Sequence, residues 1–134
     1  MAGLIWFVQV VHYPLFAFVG QEQSVAYALA HQRRTSLVVA VPMAVEGVTA
    51  LGVFFLAPEQ VSRWWGAVGL VLLGVVLGST VLLQVPRHAT LAVRYDAAVV
   101  RSLVRTNWIR TIGWTARAAL AAGLVIWAAT NGPG

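Results

Sequence analysis

The sequence lacks cysteine and lysine, and it has little charge of either sign. Without cysteine, disulfide bonds, thiolate catalysis and cysteine-ligated metals or clusters are all excluded. Only 10% of the 134 residues are charged, whereas 60% are hydrophobic, and the mean hydropathy is +0.80. Because this composition is too apolar for an ordinary soluble domain, it indicates a polytopic membrane protein.

The basic residues are all arginine, and with four acidic residues they leave a net charge of +5. In a soluble protein this excess would suggest nucleic-acid binding. Here the arginines lie beside apolar segments, where arginine sets membrane topology and contacts lipid phosphates. We therefore expect the lipid bilayer, and no nucleic acid, as a partner.

Four apolar segments predict an all-α fold, a membrane four-helix bundle. The predicted spans cover residues 3–20, 35–57, 64–85 and 108–129. The more polar stretch 21–34 predicts a short amphipathic helix at the membrane interface between the first two spans. A long basic segment after the third span leads into the fourth. One bundle uses the whole length, so we expect a single transmembrane domain over residues 1–134.

The arginines are distributed unevenly between the two sides of this predicted bundle. Seven lie in or next to the connections after the first and third spans, namely Arg33, Arg34, Arg87, Arg94, Arg101, Arg105 and Arg110, whereas the opposite side has Arg63. The positive-inside rule places the arginine-rich connections in the cytoplasm. The prediction is a multi-pass protein of the inner (plasma) membrane with both termini outside.

Polar residues recur at helical spacing on every predicted span. The faces contain Gln9, His12, Tyr13 and Phe16; Thr35, Val39, Pro42, Glu46 and Thr49; Thr80, Gln84 and His88; and Asn107, Arg110, Thr111, Trp114 and Arg117. Glu46 lies near the middle of its span, where an ionisable group is retained when it faces a partner or an aqueous cavity. We expect the four faces to meet in one polar cavity, deepest at His12 and Glu46.

A catalytic hypothesis assigns roles to these residues. His12 acts as the base, Glu46 sets its tautomer and charge, and Arg117 with Arg110 stabilises a developing oxyanion. The predicted catalytic residues are His12, Glu46 and Arg117, and the predicted substrate-binding residues are Gln9, Tyr13, Gln84, Asn107, Arg110 and Trp114.

Purely structural roles are an alternative for the same residues. Glu46 and Arg117 could form an ion pair that locks two helices, and His12 could be a hydrogen-bonded core histidine. A metal ion held by His12, Glu46 and His88 is a further alternative, although no HxxxH or ExxH spacing supports it. No cofactor is obvious, and a metal or haem stays open. On the third span Gly74 and Gly78 are four residues apart, which predicts close helix packing.

Three stretches resemble the anthrone-oxygenase-like family of small four-helix membrane proteins. They are His12 to Pro14 (HYP), Ser79 to His88 and Asn107 to Arg117. Where we expect the family to have Pro, any residue, Asn, this chain has Pro86, Arg87 and His88. The resemblance implies a bundle that admits a flat aromatic polyketide or quinol-like substrate from the bilayer and oxygenates it without an obvious cofactor.

The sequence therefore suggests a membrane protein whose polar cavity binds a small lipophilic molecule, aromatic or quinol-like, as an oxidoreductase or oxygenase. The alternative is a non-enzymatic accessory or structural subunit of a larger membrane complex. Association with further copies of the chain is also open.

Overall fold

The computed structural model describes residues 1–59 and 61–131, and within them the chain is helical. The helices are α1 (Ala2–Phe18), α2 (Gln21–Leu56), α3 (Arg63–Leu91) and α4 (Ala97–Asn131). The predicted all-α four-helix architecture is confirmed. The predicted single domain also includes residue 60 and residues 132–134, which lie outside the described residues.

Three of the helices, α2, α3 and α4, are long and apolar enough to cross a membrane. α1 is apolar but shorter. At about 1.5 Å per residue it extends for about 26 Å, somewhat less than a hydrocarbon core of about 30 Å. The chain is thus a helical membrane protein in which one helix is shorter than its neighbours.

The stretch predicted as a short amphipathic helix, residues 21–34, is the beginning of α2 and not a separate element. No proline or glycine interrupts the chain between Gln21 and Val41, and Pro42 lies inside the helix without ending it. At about 54 Å, α2 is much longer than the hydrocarbon core, and its N-terminal turns therefore extend beyond the apolar segment 35–57.

The short α1 packs against the N-terminal half of α4 and runs antiparallel to it. Trp6 Nε1 donates a hydrogen bond of 3.0 Å to Thr115 Oγ1, and the rings of Trp6 and Trp108 meet edge to face with centroids 5.6 Å apart. Beyond Thr115, α4 continues for about 24 Å to Asn131, whereas α1 extends only about 6 Å past Trp6 to its first residue, Ala2. The bundle therefore has four helices at one end and three at the other.

We call the four-helix end, where α2 and α4 begin, the basic end, because most arginines lie there. A wide π-helical turn precedes a proline in each of the two helices that run toward it. Val8–His12 precedes Pro14 in α1, and Thr80–Gln84 precedes Pro86 in α3. Proline lacks an N–H and clashes with the carbonyl four residues earlier, and a π turn accommodates this by adding one residue to the turn. The added residue rotates the rest of the helix, which changes the side chains that face inward.

The closest approach of α2 and α3 is at Gly66 and not at the predicted glycine pair. A Cβ atom on Gly66 would lie 2.7 Å from the Cα of Phe54, whereas one on Gly74 or Gly78 would meet nothing within 4 Å. The prediction for Gly74 and Gly78 is wrong because spacing identifies a shared face but not the direction in which that face points.

Candidate functional site

On α1, α3 and α4 the polar faces predicted from helical spacing point inward. On α4 the residues of the predicted stripe are all buried, namely Asn107, Arg110, Thr111, Trp114 and Arg117. Gln9, Tyr13 and Phe16 on α1 and Gln84 on α3 are buried as well. Helical periodicity therefore identifies inward-facing residues on α1, α3 and α4, whereas on α2 the predicted face is only partly covered and Thr49 is exposed.

These inward faces form two sites, and the single cavity expected from the sequence is corrected accordingly. His31 on α2 contacts His12, whereas Glu46 pairs with Arg117. Because His31 and Glu46 lie on the same helix, about 22 Å separates them along its axis. His12, Glu46 and Arg117 therefore do not form one catalytic group.

The same separation excludes the predicted metal site at His12, Glu46 and His88, since bonds from a metal ion to its protein ligands are about 2 Å long. In residues 1–59 and 61–131, no group of three or more histidine, aspartate or glutamate side chains is placed to hold a metal ion.

The first site is a cluster of all three histidines of the chain, contributed by α1, α2 and α3. His12 Nε2 lies 2.6 Å from His31 Nδ1, within hydrogen-bond distance. The two rings stack with centroids 4.6 Å apart, and His88 stacks on the other side of His31 with centroids 5.1 Å apart. We call this stack of His12, His31 and His88 the histidine cluster.

Hydroxyl groups hold the two deeper rings of the histidine cluster. Thr35 Oγ1 lies 3.1 Å from His31 Nδ1, and the Tyr13 hydroxyl lies 3.0 Å from His88 Nε2. The guanidinium of Arg110 lies beside Tyr13. The cluster is thus connected through Tyr13 to a buried arginine on α4.

Aromatic rings enclose the histidine cluster at the basic end. Phe16 packs edge-on against His31 with centroids 5.0 Å apart, and Tyr27 packs edge-on against Phe16 at the same distance. The His12 and Phe16 rings also meet edge-on, at 5.7 Å. These contacts fix the imidazole planes and give the cluster an apolar boundary.

A chain of amide hydrogen bonds continues from Arg110 along the seam of α1 and α4. Arg110 Nη1 donates to Asn107 Oδ1 at 3.1 Å, and Asn107 Nδ2 donates to Gln9 Oε1 at 2.9 Å. Gln9 Nε2 in turn donates to the carbonyl of Val104 at 3.2 Å. Gln9, Asn107 and Arg110, predicted to bind substrate, thus bind one another and hold α1 in place, and their role toward a substrate stays a prediction.

The predicted substrate-binding residues Gln84 and Trp114 are also enclosed between helices, each with only 1% of its surface exposed. Gln84 Nε2 donates to Thr106 Oγ1 at 3.1 Å. Gln84 Oε1 and Trp114 Nε1 are buried without a hydrogen-bond partner within the described parts of the chain. Their surroundings indicate packing roles.

A groove between α1 and α2 reaches His12, at the edge of the histidine cluster, from the outer surface of the bundle. It has a volume of about 200 Å³ and is lined by Leu4, Phe7, Val8, His12, Arg34, Thr35, Val38 and Val39. Its walls are mainly apolar, and His12 and Arg34 supply nitrogen-bearing groups. Nδ1 of His12 has no hydrogen-bond partner among residues 1–59 and 61–131, so it is free to accept a proton or a hydrogen bond.

The second site is the ion pair of Glu46 and Arg117. Arg117 Nη2 donates to Glu46 Oε2 at 2.8 Å, and Nε donates to the same oxygen at 3.3 Å. The side chain of Arg117 is only 9% exposed, that of Glu46 29%, and the guanidinium carbon lies 5.8 Å from the centre of the Trp114 ring. The geometry is that of the structural pair given as an alternative in the sequence analysis.

Sequence reasoning missed His31, which lies at the centre of the histidine cluster. The polar side chains of residues 21–34 predict a separate amphipathic helix at the membrane interface, which leaves His31 outside the second span. A signal was present nevertheless: Ser24, Ala28, His31 and Thr35 follow one another at helical spacing and extend the inward face of the second span toward the basic end.

No family model matches this chain, and searches of curated proteins and of solved structures likewise found no match. The resemblance to anthrone-oxygenase-like proteins therefore stays a prediction. Function has to be inferred from the two sites.

Proposed function

We propose that this membrane protein binds a small lipophilic molecule, aromatic or quinol-like, in the groove between α1 and α2 and acts on it as an oxidoreductase or oxygenase. The observation that carries the proposal is that all three histidines of the chain, from three helices, form one stack, and that His12 at its edge lines a groove between α1 and α2. Intramembrane ionisable groups are functional-site candidates by default, and stacked imidazoles suit proton transfer.

His12 is the proposed base. When its proton resides on Nε2 and is shared with His31 Nδ1, its Nδ1 can accept the proton of a phenolic or enolic hydroxyl. His12 becomes an imidazolium whose Nε2–H donates to His31 Nδ1. The ligand becomes an anion, and the positive charge stays beside it on His12.

Arg34 replaces Arg110 and Arg117 as the proposed anion-stabilising group. It lines the same groove as His12, so its guanidinium can offset the charge of a phenolate or enolate. The apolar groove walls keep water from the anion, which strengthens this attraction. Deprotonation makes such a ring more electron-rich, and the electrons would pass to an oxidant such as dioxygen or a membrane quinone.

The distribution of arginine supports a cytoplasmic position of the histidine cluster. Arg33 and Arg34 on α2 and Arg101 and Arg105 on α4 all lie at the basic end. By the positive-inside rule, we propose that this end faces the cytoplasm, that the membrane is the inner membrane, and that both termini lie outside.

The test is turnover and equilibrium binding of quinols and anthrones by the purified protein and its His12→Ala and His31→Ala variants. We expect turnover by His12→Ala to fall about 100-fold, a typical contribution of a general base. Glu46→Gln is the control and should stay within about two-fold of the unsubstituted protein, because Glu46 lies about 22 Å from His31 along α2. Unchanged turnover in both histidine variants would remove the assignment.

Purification in mild detergent tests the accessory-subunit alternative in the same preparation. A stable stoichiometric partner together with no binding of quinols or anthrones would favour that alternative. A protein that purifies alone, or with further copies of itself, and binds these molecules would favour the enzyme.

A further inference from the structure

The ion pair of Glu46 and Arg117 lies at the floor of a second cavity, which the proposed reaction does not use. This crevice has a volume of about 160 Å³ and opens between α2, α3 and α4. Its walls are apolar and include Val53, Trp65 and Leu124. We call it the ion-pair crevice.

The arginine of the pair is fully engaged, whereas the carboxylate is not. Every guanidinium nitrogen of Arg117 donates to the protein: Nη1 to the carbonyl of Gly69, and Nε and Nη2 to Glu46 Oε2. The other oxygen, Glu46 Oε1, accepts no hydrogen bond from residues 1–59 or 61–131. Because Glu46 lines the crevice and its side chain is 29% exposed, a molecule in the crevice would meet this free acceptor.

The crevice continues into a larger apolar cavity. That cavity has a volume of about 480 Å³ and shares Trp65, Leu120 and Leu124 with the crevice. Within the described parts of the chain, neither space is lined by a residue of α1. The first residue of α1 lies only about 6 Å beyond the level of Thr115. Hydrocarbon can therefore extend from the carboxylate along α4 toward Trp127.

We propose that the ion-pair crevice is a separate binding site for a neutral lipid or other long hydrocarbon that carries a hydroxyl group, which donates a hydrogen bond to Glu46 Oε1. The pair already balances its own charge, so an added ion of either sign would be unpaired in a low-dielectric setting. A neutral hydroxyl satisfies the free oxygen without that cost, and the adjoining cavity accommodates the chain.

The experiment compares two photoreactive probes on the full chain in phosphatidylcholine nanodiscs. One is hexadecanol with a diazirine in its chain, and the other is its methyl ether, which has the same chain but no hydroxyl donor. Labelled residues are identified by mass spectrometry. We expect the alcohol to label the segments around Trp65 and residues 117–124 about ten-fold more than the ether, the preference expected for a hydrogen bond to a charged group.

Two variants decide between polar recognition and a merely lipid-filled surface. Replacing both members of the pair, Glu46→Met with Arg117→Met, removes the acceptor without leaving an unpaired charge and should reduce labelling by the alcohol to that by the ether. Ala121→Phe fills the crevice while both members of the pair are kept, and it should reduce labelling by both probes. Its matched control is Ala122→Phe, which adds the same ring at an exposed position that lines neither cavity and should change neither.

Equal labelling by alcohol and ether in the unsubstituted protein would overturn the proposal, as would a preference for the alcohol that survives the double substitution. If the double variant does not fold, Ala121→Phe alone decides: undiminished labelling by the alcohol would place it outside the crevice. Turnover of quinols or anthrones is not part of this readout, so failure here and failure of the histidine assignment are distinguishable.

Discussion

The histidine cluster and the ion-pair crevice show two ways in which one bundle places polar groups inside an apolar protein. At the basic end, α1 completes a four-helix arrangement, and His12, His31 and His88 are stacked and joined to the hydroxyls of Tyr13 and Thr35. At the opposite end three helices remain, and Glu46 and Arg117 neutralise each other beside an open crevice.

The length of α1 explains this difference. Because α1 begins only about one turn beyond the contact of Trp6 with Thr115 and its polar face starts at Gln9, this face meets only the N-terminal half of α4. The residues beyond that level need partners from α2 and α3, which Glu46 and the carbonyl of Gly69 supply to Arg117. The four-helix end therefore builds a connected network, whereas the three-helix end retains an open crevice.

The largest effect is expected at the ion pair. Arg117→Met leaves the carboxylate of Glu46 without its cation in an apolar setting, and we expect the free energy of unfolding to fall by about 3 kcal/mol. Unfolding in mixed detergent measures it. The double substitution Glu46→Met with Arg117→Met should recover most of the loss, because charge balance returns. A double variant no more stable than the single one would contradict the charge-balance argument.

The next effect concerns the network at the four-helix end. Asn107 is 0% exposed and connects Gln9 to Arg110. Asn107→Leu removes the acceptor of Arg110 Nη1 and the shorter of the two hydrogen bonds to Gln9 Oε1, so we expect a loss of about 2 kcal/mol in the free energy of unfolding. Asn131→Leu is the control, since Asn131 is exposed at the end of α4 and its loss should cost less than about 0.5 kcal/mol. Similar losses in the two variants would argue against a buried network.

A smaller effect should distinguish two glycines on α3. Gly66→Ala would bring a Cβ atom within 2.7 Å of the Phe54 backbone and should cost about 1.5 kcal/mol through overpacking. Gly74→Ala meets open space and should stabilise the helix by about 0.5 kcal/mol. Thermal unfolding of the two variants measures both, and the opposite order would mean that α2 and α3 meet on another face.

The smallest effect is expected at the edge of the histidine cluster. Tyr13→Phe keeps the buried ring but removes the hydroxyl that bonds to His88 Nε2, so we expect a loss of about 1 kcal/mol. Tyr27→Phe is the matched control, because the Tyr27 hydroxyl forms no hydrogen bond with residues 1–59 or 61–131. Equal stability of the two variants would show that the Tyr13 hydroxyl contributes nothing.

Much of the fold followed from hydrophobic length and helical period alone. Both depend on local chemistry, and both correctly predicted the four helices and the inward stripe from Asn107 to Arg117. These two patterns did not predict how the helices are placed relative to one another along the axis of the bundle. His12 and Glu46 each lie near the middle of their own apolar segment. Because α1 is short and displaced toward the basic end, the two residues nevertheless lie at different levels along the bundle axis.

It was harder to predict which residues form the histidine cluster, for related reasons. His31 was missed because the start of α2 was separated from its span, although no helix breaker lies between them. The π turns ahead of Pro14 and Pro86 rotate the helices in a way that a regular period of 3.6 residues does not include. Packing between helices, not local preference, decides these features.

Nitrogen NMR of the protein with ¹⁵N-labelled histidine tests the separation of the two sites most directly. Because the chain contains only three histidines, the spectrum is simple to assign with single His→Ala variants. We predict a scalar coupling across the hydrogen bond between His12 Nε2 and His31 Nδ1, and that Glu46→Gln leaves this coupling and the imidazole shifts unchanged. Uncoupled imidazole signals, or signals that move when Glu46 is replaced, would contradict the account.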